Sequence, residues 1–460
     1  MKLSTAYILA VIFIAGPSYA AAQGAQKTQA RVIDSLVKDA IDSQRISSLS
    51  VAVVRGRDTV SLTAYGLAWR EPAIPTTSAT VYRMGSIAKQ FTASVMLQLV
   101  DEGRMSLNDP IDKFLPRLPA AWRTVRIREV LNHTSGIPSY TNLGPAWSSR
   151  MTEDFSPDSL IALTTGKPLD FPTGTNWRYN NSGYVIAGRI IERVEGKPYA
   201  TVVDERIAKP LGLESLSYCL TNPEQGRDAA GYETAPNKTF QDAVPISLTQ
   251  PYAAGGLCIT ARDLVKWNAA LHGGKVVSLK SYQRMTTPEG SAVPRGYGYG
   301  IVRDSSVHGV RLVHGGGING FVSSNSYTPA NQLSIVVLGN TGTGEVDKLA
   351  AQITRLMDGK ALEHRATPIA LSETALAAHV GKFELALPGR TMPVELRMLD
   401  GKLAAYFDSQ SPTMLVPIGE HLFIVEQDEQ IVMDFVVDET GAITGFVLTQ
   451  GVTYHARRIS

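Results

Sequence analysis

Three short stretches of the chain carry residues whose types and spacing suit attack on a carbonyl. The first is "YRMGSIAKQFTASVMLQLVDEG", where Ser86 follows Gly85 and stands three residues before Lys89. Positions three apart share one face of a helix. A serine hydroxyl is a reluctant nucleophile, and a lysine at its ordinary pKa of about 10.4 is no base at neutral pH. Burial of Lys89 beneath Ser86 would change both, because desolvation disfavours the ammonium and leaves a neutral amine as base. The N–H groups of a first helical turn have no partner inside the helix, so they can hold a developing oxyanion. Gly85 lets the backbone approach a substrate closely. Ser35 and Lys38 repeat the spacing on an ordinary amphipathic stretch, so the spacing alone does not decide.

The second stretch is "GTNWRYNNSGYVIAGRIIE", with Tyr179 and Asn181 in a polar loop just before a helix. A phenol beside a lysinium ion is expected to have its pKa lowered and could then shuttle a proton between nucleophile and leaving group. Asn181 could hydrogen-bond a substrate amide. A capped helix start with a packed tyrosine is the structural alternative, and Tyr140 and Asn142 repeat the spacing. The third is "RLVHGGGINGF", an apolar strand running into His314 and the glycines 315–317. Gly315, Gly317 and Gly320 match a dinucleotide-binding pattern letter by letter, but a strand-like "FVSSNSY" follows where that motif needs a helix. His272, before Gly273 and Gly274, is a decoy for the short motif, since those glycines read as a helix stop.

Positioning these residues requires a particular order of elements. "QKTQARVIDSLVKDAIDSQ" sets Val32, Ile33, Leu36, Val37 and Ile41 on a helical stripe. Two strand-like runs follow, "SLSVAVVRG" and "TVSLTAYGLA", and then the Ser86 helix, expected to stop at Gly103. Shorter helices occupy a middle section rich in Pro, Gly, Asn and Ser. Strands return in "RLVHGGGINGFVSSNSYTP" and "QLSIVVLGN", and "EVDKLAAQITRLMDG" closes the region as a packing helix. The order predicts an α+β fold, an antiparallel sheet flanked by a helical cluster. From residue 376 the pattern changes to eight short strand candidates, starting near Phe383, Val394, Leu403, Met414, Leu422, Ile431, Ile443 and Val452. Short strands without helices predict a small all-β barrel or sandwich. The expected division is a signal peptide at 1–22, a first domain at 23–362, a linker at 363–375 and a barrel domain at 376–460.

Composition bounds the function classes. The 460 residues include 44 basic and 42 acidic side chains, for a formal charge of +2, with no long basic run. Nucleic acid is not an expected partner. The start, "MKLSTAYILAVIFIAGPSYAAAQG", has Lys2, an apolar run from Ala6 to Ala15 and a small-x-small signal at Ser18–Ala20. It reads as a cleaved signal peptide, since the run is shorter than the roughly 18 apolar residues of a membrane span. No cysteine lies near the cut, which disfavours a lipid anchor, so a secreted or periplasmic location is expected and no membrane span. Cys219 and Cys258 could form one disulfide in an oxidising compartment or stay as buried thiols. The chain has no G-x-S-x-G elbow, H-E-x-x-H, phosphate loop or paired C-x-x-C. No cofactor and no metal are implied.

In order, Ser86-x-x-Lys89, Tyr179-x-Asn181 and His314-x-Gly316 resemble the three motifs of the penicillin-recognising serine hydrolases. The surroundings "VRIREVLNHTSGIP", "YAAGGLCITARDL" and "HGGGINGF" resemble the class C β-lactamase-like branch, which also holds D-alanyl-D-alanine carboxypeptidases, D-aminopeptidases and esterases. The resemblance covers about residues 28–357, and the tail is similar to lipocalin-like barrels. It implies that Ser86 forms an acyl-enzyme and that Lys89 and Tyr179 act as base and acid. It also implies that the N–H groups of Ser86 and Gly317 hold the oxyanion, with Gly316 in the third motif, and that Asn181 orients the acyl side chain. Lactamases of this branch usually carry Lys where this chain has His314. A histidine near its ordinary pKa of about 6.5 would hold a substrate carboxylate more weakly and with a pH dependence. The expected activity is therefore hydrolysis of a small peptide, amide or ester substrate by a D-amino-acid peptidase or esterase. A β-lactamase is the alternative within the class, and a non-catalytic sensor of β-lactams or peptidoglycan fragments is the alternative outside it.

Overall fold

The computed structural model describes residues 17–43, 45–235, 239–360, 362, 368–387, 390–407, 412–426, 428–450 and 452–460. Most of the expected signal peptide lies outside the described residues, and so do residues 363–367 of the expected linker. The chain divides into two compact units, residues 1–361 and 362–460.

The first unit opens with helix α1 (Pro17–Asp42), followed by the hairpin β1 (Ser48–Arg55) and β2 (Asp58–Trp69), then β3 (Ile74–Pro75) and β4 (Tyr82–Arg83). One 3-10 turn (Gly85–Ile87) leads into α2 (Ala88–Asp101). Further on come α3 (Asn181–Glu195), β5 (Ser217–Tyr218), α4 (Tyr252–Gly255), β6 (Leu257–Ile259) and α5 (Ala261–His272). Four strands follow, β7 (Val302–Ser306), β8 (Gly309–Ile318), β9 (Phe321–Thr328) and β10 (Leu333–Gly339), and then α6 (Glu345–Met357). The main sheet is seven-stranded, in the order β3-β2-β1-β10-β9-β8-β7, and its neighbours pair antiparallel throughout.

Why β1 and β10 read as unbroken apolar runs is plain from what covers them. Val51 and Val53 of β1 and Ile335 and Val337 of β10 pack with Ile33 and Val37 of α1 and with Leu349 and Ile353 of α6. The alternate residues Ala52, Val336 and Leu338 face the other side, where they join the core built around α2, α3 and α5. With helices on both faces, neither side of these strands needs polar residues. The apolar stripe of α1 is thus one outer layer. On the opposite side α2 is buried from Ala88 to Leu97, and Phe91 stacks on Trp267 of α5 with ring centroids 4.0 Å apart. The helix ends at Asp101, and Gly103 has a φ of +71°, the left-handed stop its position suggested.

A small sheet, β4-β6-β5, sits directly before the Ser86 turn, with Arg83 and Ser217 both opposite Cys258. Cys219 and Cys258 form a disulfide, with Cα atoms 5.2 Å apart. Of the two states left open by the sequence, the bridged one is present.

The second unit is a closed antiparallel barrel. Helix α7 (Glu373–Ala377), whose N-cap Ser372 accepts from the Ala375 N–H, precedes it. The strands are β11 (Gly381–Leu387), β12 (Arg390–Leu399), β13 (Lys402–Phe407), β14 (Thr413–Pro417), β15 (Leu422–Val425), β16 (Asp428–Val437), β17 (Ile443–Gln450) and β18 (Val452–Arg458). All eight expected strands are present, and pairing of β11 with β18 closes the ring. Alternation sends Phe383, Leu385, Val394 and Leu396 inward. Phe383, Phe423, Phe435 and Phe446 meet in the interior. Among the described residues no helix is long and apolar enough to cross a membrane.

Candidate active site

Ser86 lies in the tight turn ahead of α2, where Gly85 adopts a φ of +53° that favours glycine. The turn abuts β8. A methyl group added to Gly85 would stand 2.9 Å from the Gly317 nitrogen, and one added to Gly316 would overlap the Met84 carbonyl and the Ser323 hydroxyl. Ser323 Oγ donates to the Met84 carbonyl at 2.9 Å, which ties the turn to the sheet. Strand β7 accompanies β8 only from Gly309 to Val313. From His314 onward that edge of β8 is released from β7 and runs past Ser86, bringing Gly316 and Gly317 beside the serine. The two stretches, far apart in sequence, meet here.

Lys89 is fully buried. Its Nζ lies 2.8 Å from Asn181 Oδ1, 2.8 Å from the Ala254 carbonyl and 3.1 Å from Ser86 Oγ. None of these partners carries a negative charge, so nothing repays the desolvation of an ammonium. Burial therefore holds its pKa well below the ordinary 10.5. A neutral amine has two N–H groups and one lone pair. The Asn181 and Ala254 oxygens can only accept, so they take both N–H groups. In that neutral form the lone pair would be left for the Ser86 hydroxyl, the one partner able to give a proton.

Asn181 is the first residue of α3 rather than part of the loop ahead of it. Asn180 is the N-cap, its side chain accepting from the Gly183 N–H at 2.9 Å. The Asn181 amide is engaged on both ends, with Oδ1 on Lys89 and Nδ2 donating to Thr141 Oγ1 at 3.2 Å. Its backbone N–H donates to Ser139 Oγ at 3.1 Å. In this arrangement Asn181 seats the lysine.

Tyr179 stacks near the amine, with Lys89 Nζ 4.8 Å from its ring centroid. The expected lowering of its pKa is overturned. Burial pushes the phenol up, against a smaller downward pull from the Ser86 hydroxyl. Lys89 contributes nothing to that shift. The Tyr179 hydroxyl is buried and has no hydrogen-bond partner in the protein. Such an orphaned polar group costs about 1–3 kcal/mol unless a ligand or water completes it.

His314 is buried too, and its titration is pushed down to about 4 by desolvation first, with Lys89 adding to the shift and a hydrogen bond to Gly315 opposing it. It is neutral across the physiological range, so a carboxylate-binding role that fades between pH 5.5 and 8.5 does not follow from this side chain. Both ring nitrogens are engaged, Nε2 with the Tyr297 hydroxyl at 2.9 Å and Nδ1 with the Gly315 carbonyl at 2.6 Å.

Tyr297, His133 and Thr141 belong to the constellation and were missed by sequence reasoning. Tyr297 sits in "GYGYG", where alternating glycines signalled a chain pressed against other backbone. His133 has a φ of +67° and lies with its ring centroid 4.5 Å from those of both Tyr179 and Tyr297. Its Nδ1 accepts from the Asn180 N–H at 3.2 Å. Thr141 lies inside the decoy pair, while Tyr140 itself is a core residue whose hydroxyl donates to the Gln250 carbonyl at 2.7 Å. The other decoys resolve as structure. Lys38 pairs with Asp34 on α1, and His272 stacks on Tyr327 with centroids 4.2 Å apart.

A family model described as Beta-lactamase matches residues 33–356. The chain is 29% identical, over 68% of its length and 78% of the other's, to the protein of Bacillus subtilis (strain 168) named as penicillin-binding protein PbpX. Among solved structures, a D-stereospecific amidohydrolase from Streptomyces sp. is 28% identical with a TM-score of 0.61, covering 74% of this chain and 99% of that one. The octameric penicillin-binding protein homologue from Pyrococcus abyssi, 23% identical, shares the fold with a TM-score of 0.65 over 92% of this chain and 99% of that one. With that match over most of its length, on an antiparallel sheet flanked by helices, the chain belongs to the Beta-lactamase family and is a serine hydrolase.

Proposed function

We propose that the chain hydrolyses D-amino-acid amides or peptides through an acyl-enzyme on Ser86. The observation that carries this is the buried Lys89 amine, its Nζ 2.8 Å from two acceptors, Asn181 Oδ1 and the Ala254 carbonyl, and 3.1 Å from Ser86 Oγ. As Oγ attacks the substrate carbonyl, its proton passes to Lys89 Nζ. The oxyanion is received by the N–H groups of Ser86 and Gly317 at the open edge of β8. When the tetrahedral intermediate collapses, the Tyr179 hydroxyl gives its proton to the departing amine and is refilled from Lys89. A neutral phenol suits that step. Its unpartnered hydroxyl is then completed by the substrate. Water repeats the sequence on the ester and frees Ser86.

Selectivity for the D-series is supported by the 28% identical amidohydrolase, whose name describes a D-stereospecific enzyme. Antibiotic turnover is disfavoured, since His314 is neutral and has no nitrogen to offer a carboxylate. Export is supported by the apolar start of the chain and by the Cys219–Cys258 bridge, which suits an oxidising compartment. We place the signal peptide at 1–22, the catalytic domain at 23–362, the linker at 363–375 and the barrel domain at 376–460. The barrel resembles lipocalins in strand number, but its interior is packed with side chains, four phenylalanines among leucines, valines and other apolar residues.

The test is hydrolysis of D- and L-phenylalanine amide, with benzylpenicillin alongside, by the mature protein and by Ser86→Ala. Turnover of the D-amide at least tenfold faster than the L-amide, lost in the variant, is expected. Equal rates on both, or a D-amide rate that survives in Ser86→Ala, would overturn the proposal.

A further inference from the structure

We infer that Tyr297 is a positioning residue for the oxyanion strand, holding His314 in the one tautomer that ties down the Gly315 carbonyl and aims the Gly317 N–H at Ser86. The inference rests on the serine-hydrolase reading and adds a role for the third motif that requires no charge on it.

The hydrogen assignments follow from the partners. The Gly315 carbonyl can only accept, so His314 Nδ1, 2.6 Å away, carries the proton. In the neutral ring Nε2 is then a lone pair, and the Tyr297 hydroxyl at 2.9 Å donates to it. Such a strap acts on the edge away from β9, with which the strand pairs as far as Ile318. Beyond Val313 it has lost β7 as a neighbour on this edge, and three consecutive glycines supply no side chains to hold it.

Tyr297 is itself rigidly mounted. The Gly298 N–H donates to the Ile301 carbonyl at 2.8 Å and the Tyr299 N–H to the Met285 carbonyl at 2.9 Å. Gly300, at a φ of +69°, presses on the Lys89 backbone, where a methyl group would stand 2.7 Å from the carbonyl carbon and oxygen. One short segment therefore registers both the oxyanion strand and the first turn of α2. The titratable groups around His314 are Lys89 from α2, Tyr179 ahead of α3, His133 from its loop and Tyr297 itself.

The experiment compares Tyr297→Phe, His314→Asn and the double variant with wild type, in the full chain. The readouts are p-nitrophenyl acetate hydrolysis from pH 4 to 8 and labelling of Ser86 by an alkyl fluorophosphonate. Tyr297→Phe should lower kcat about tenfold with KM within about twofold, less than the roughly hundredfold that follows outright loss of an oxyanion donor. It should also move the acid limb upward from its wild-type position, because the freed Nε2 lone pair takes a proton more readily. A merely structural residue would not move that limb. In His314→Asn the amide N–H can still reach Gly315, so adding Tyr297→Phe to it should cost nothing further. Should Tyr297→Phe fail to fold, His314→Asn against His314→Ala decides: a higher kcat in the Asn variant supports the strap, and equal values overturn it. A Tyr297→Phe protein with wild-type kcat and acid limb overturns the inference, as does a double variant whose losses multiply. If wild type itself neither hydrolyses the ester nor is labelled at Ser86, the serine-hydrolase reading fails first.

Discussion

Replacing Lys89 by methionine removes one buried amine and keeps an unbranched side chain of similar length. In the folded protein burial holds the amine's pKa well below 10.5. In the unfolded chain it carries a proton. Between the folded and unfolded values the unfolded state binds one proton more, so wild-type stability rises with pH at about 1.4 kcal/mol per unit from this site alone. On the proposed mechanism, in which the folded amine is already the neutral base at pH 8, that is about 2 kcal/mol from pH 8 to pH 9.5, a contribution Lys89→Met lacks. The variant also strands two acceptors, Asn181 Oδ1 and the Ala254 carbonyl, at about 1–3 kcal/mol each, but that cost is the same at both pH values and cancels. Relative to wild type, Lys89→Met should therefore gain about 2 kcal/mol on going from pH 9.5 to pH 8, while its kcat falls by about 10² to 10⁴ for want of a base. Guanidinium unfolding followed by tryptophan fluorescence reads the catalytic unit alone, because all five tryptophans lie in it. Stability differences that are equal at the two pH values would mean that Lys89 is an ammonium in the folded protein, and the proton route from Ser86 would be wrong.

Neighbouring glycines in the third motif should respond unequally. Gly316→Ala forces a methyl group into the Met84 carbonyl and should cost about 1–3 kcal/mol and most of the activity, whereas Gly317→Ala points into open space and should shift stability by less than about 0.5 kcal/mol; thermal melts of both variants check this. Removing the bridge with Cys219→Ala and Cys258→Ala, which opens a loop with a sequence separation of 39, should destabilise the first unit by about 4 kcal/mol on the chain-entropy estimate. Equal denaturation midpoints for the bridged and unbridged proteins would contradict it. Thr141→Val removes the brace on Asn181 Nδ2 and should lower kcat by about two- to twelvefold, the kinetic equivalent of a net hydrogen bond of about 0.5–1.5 kcal/mol.

The elements were largely legible because their signals are local. The eight barrel strands announce themselves by alternation and turn residues, and the Ser86 helix by its apolar run and Gly103. The motif residues were found by type, and the structure brings Ser86, Lys89, Tyr179, Asn181 and Gly317 together. What escaped was protonation. The lowered phenol pKa expected for Tyr179 presumed a charged lysine, whereas burial among uncharged partners holds the amine's pKa well below 10.5. The state of His314 likewise follows from its burial, and its Nε2 partner, Tyr297, lies seventeen residues away on another segment. Thr141 hid in a stretch that looked like a decoy, because its contact with Asn181 is made by the fold and by no sequence spacing.

Intact-mass analysis after brief exposure to an alkyl fluorophosphonate tests the central claim most directly, using wild type, Ser86→Ala and Lys89→Met, with the adduct mapped by peptide digestion. The account predicts one phosphonyl group on wild type, located on Ser86, none on Ser86→Ala, and labelling of Lys89→Met slowed by at least about a hundredfold. A Lys89→Met protein labelled as fast as wild type, or an adduct that persists in Ser86→Ala, would contradict it.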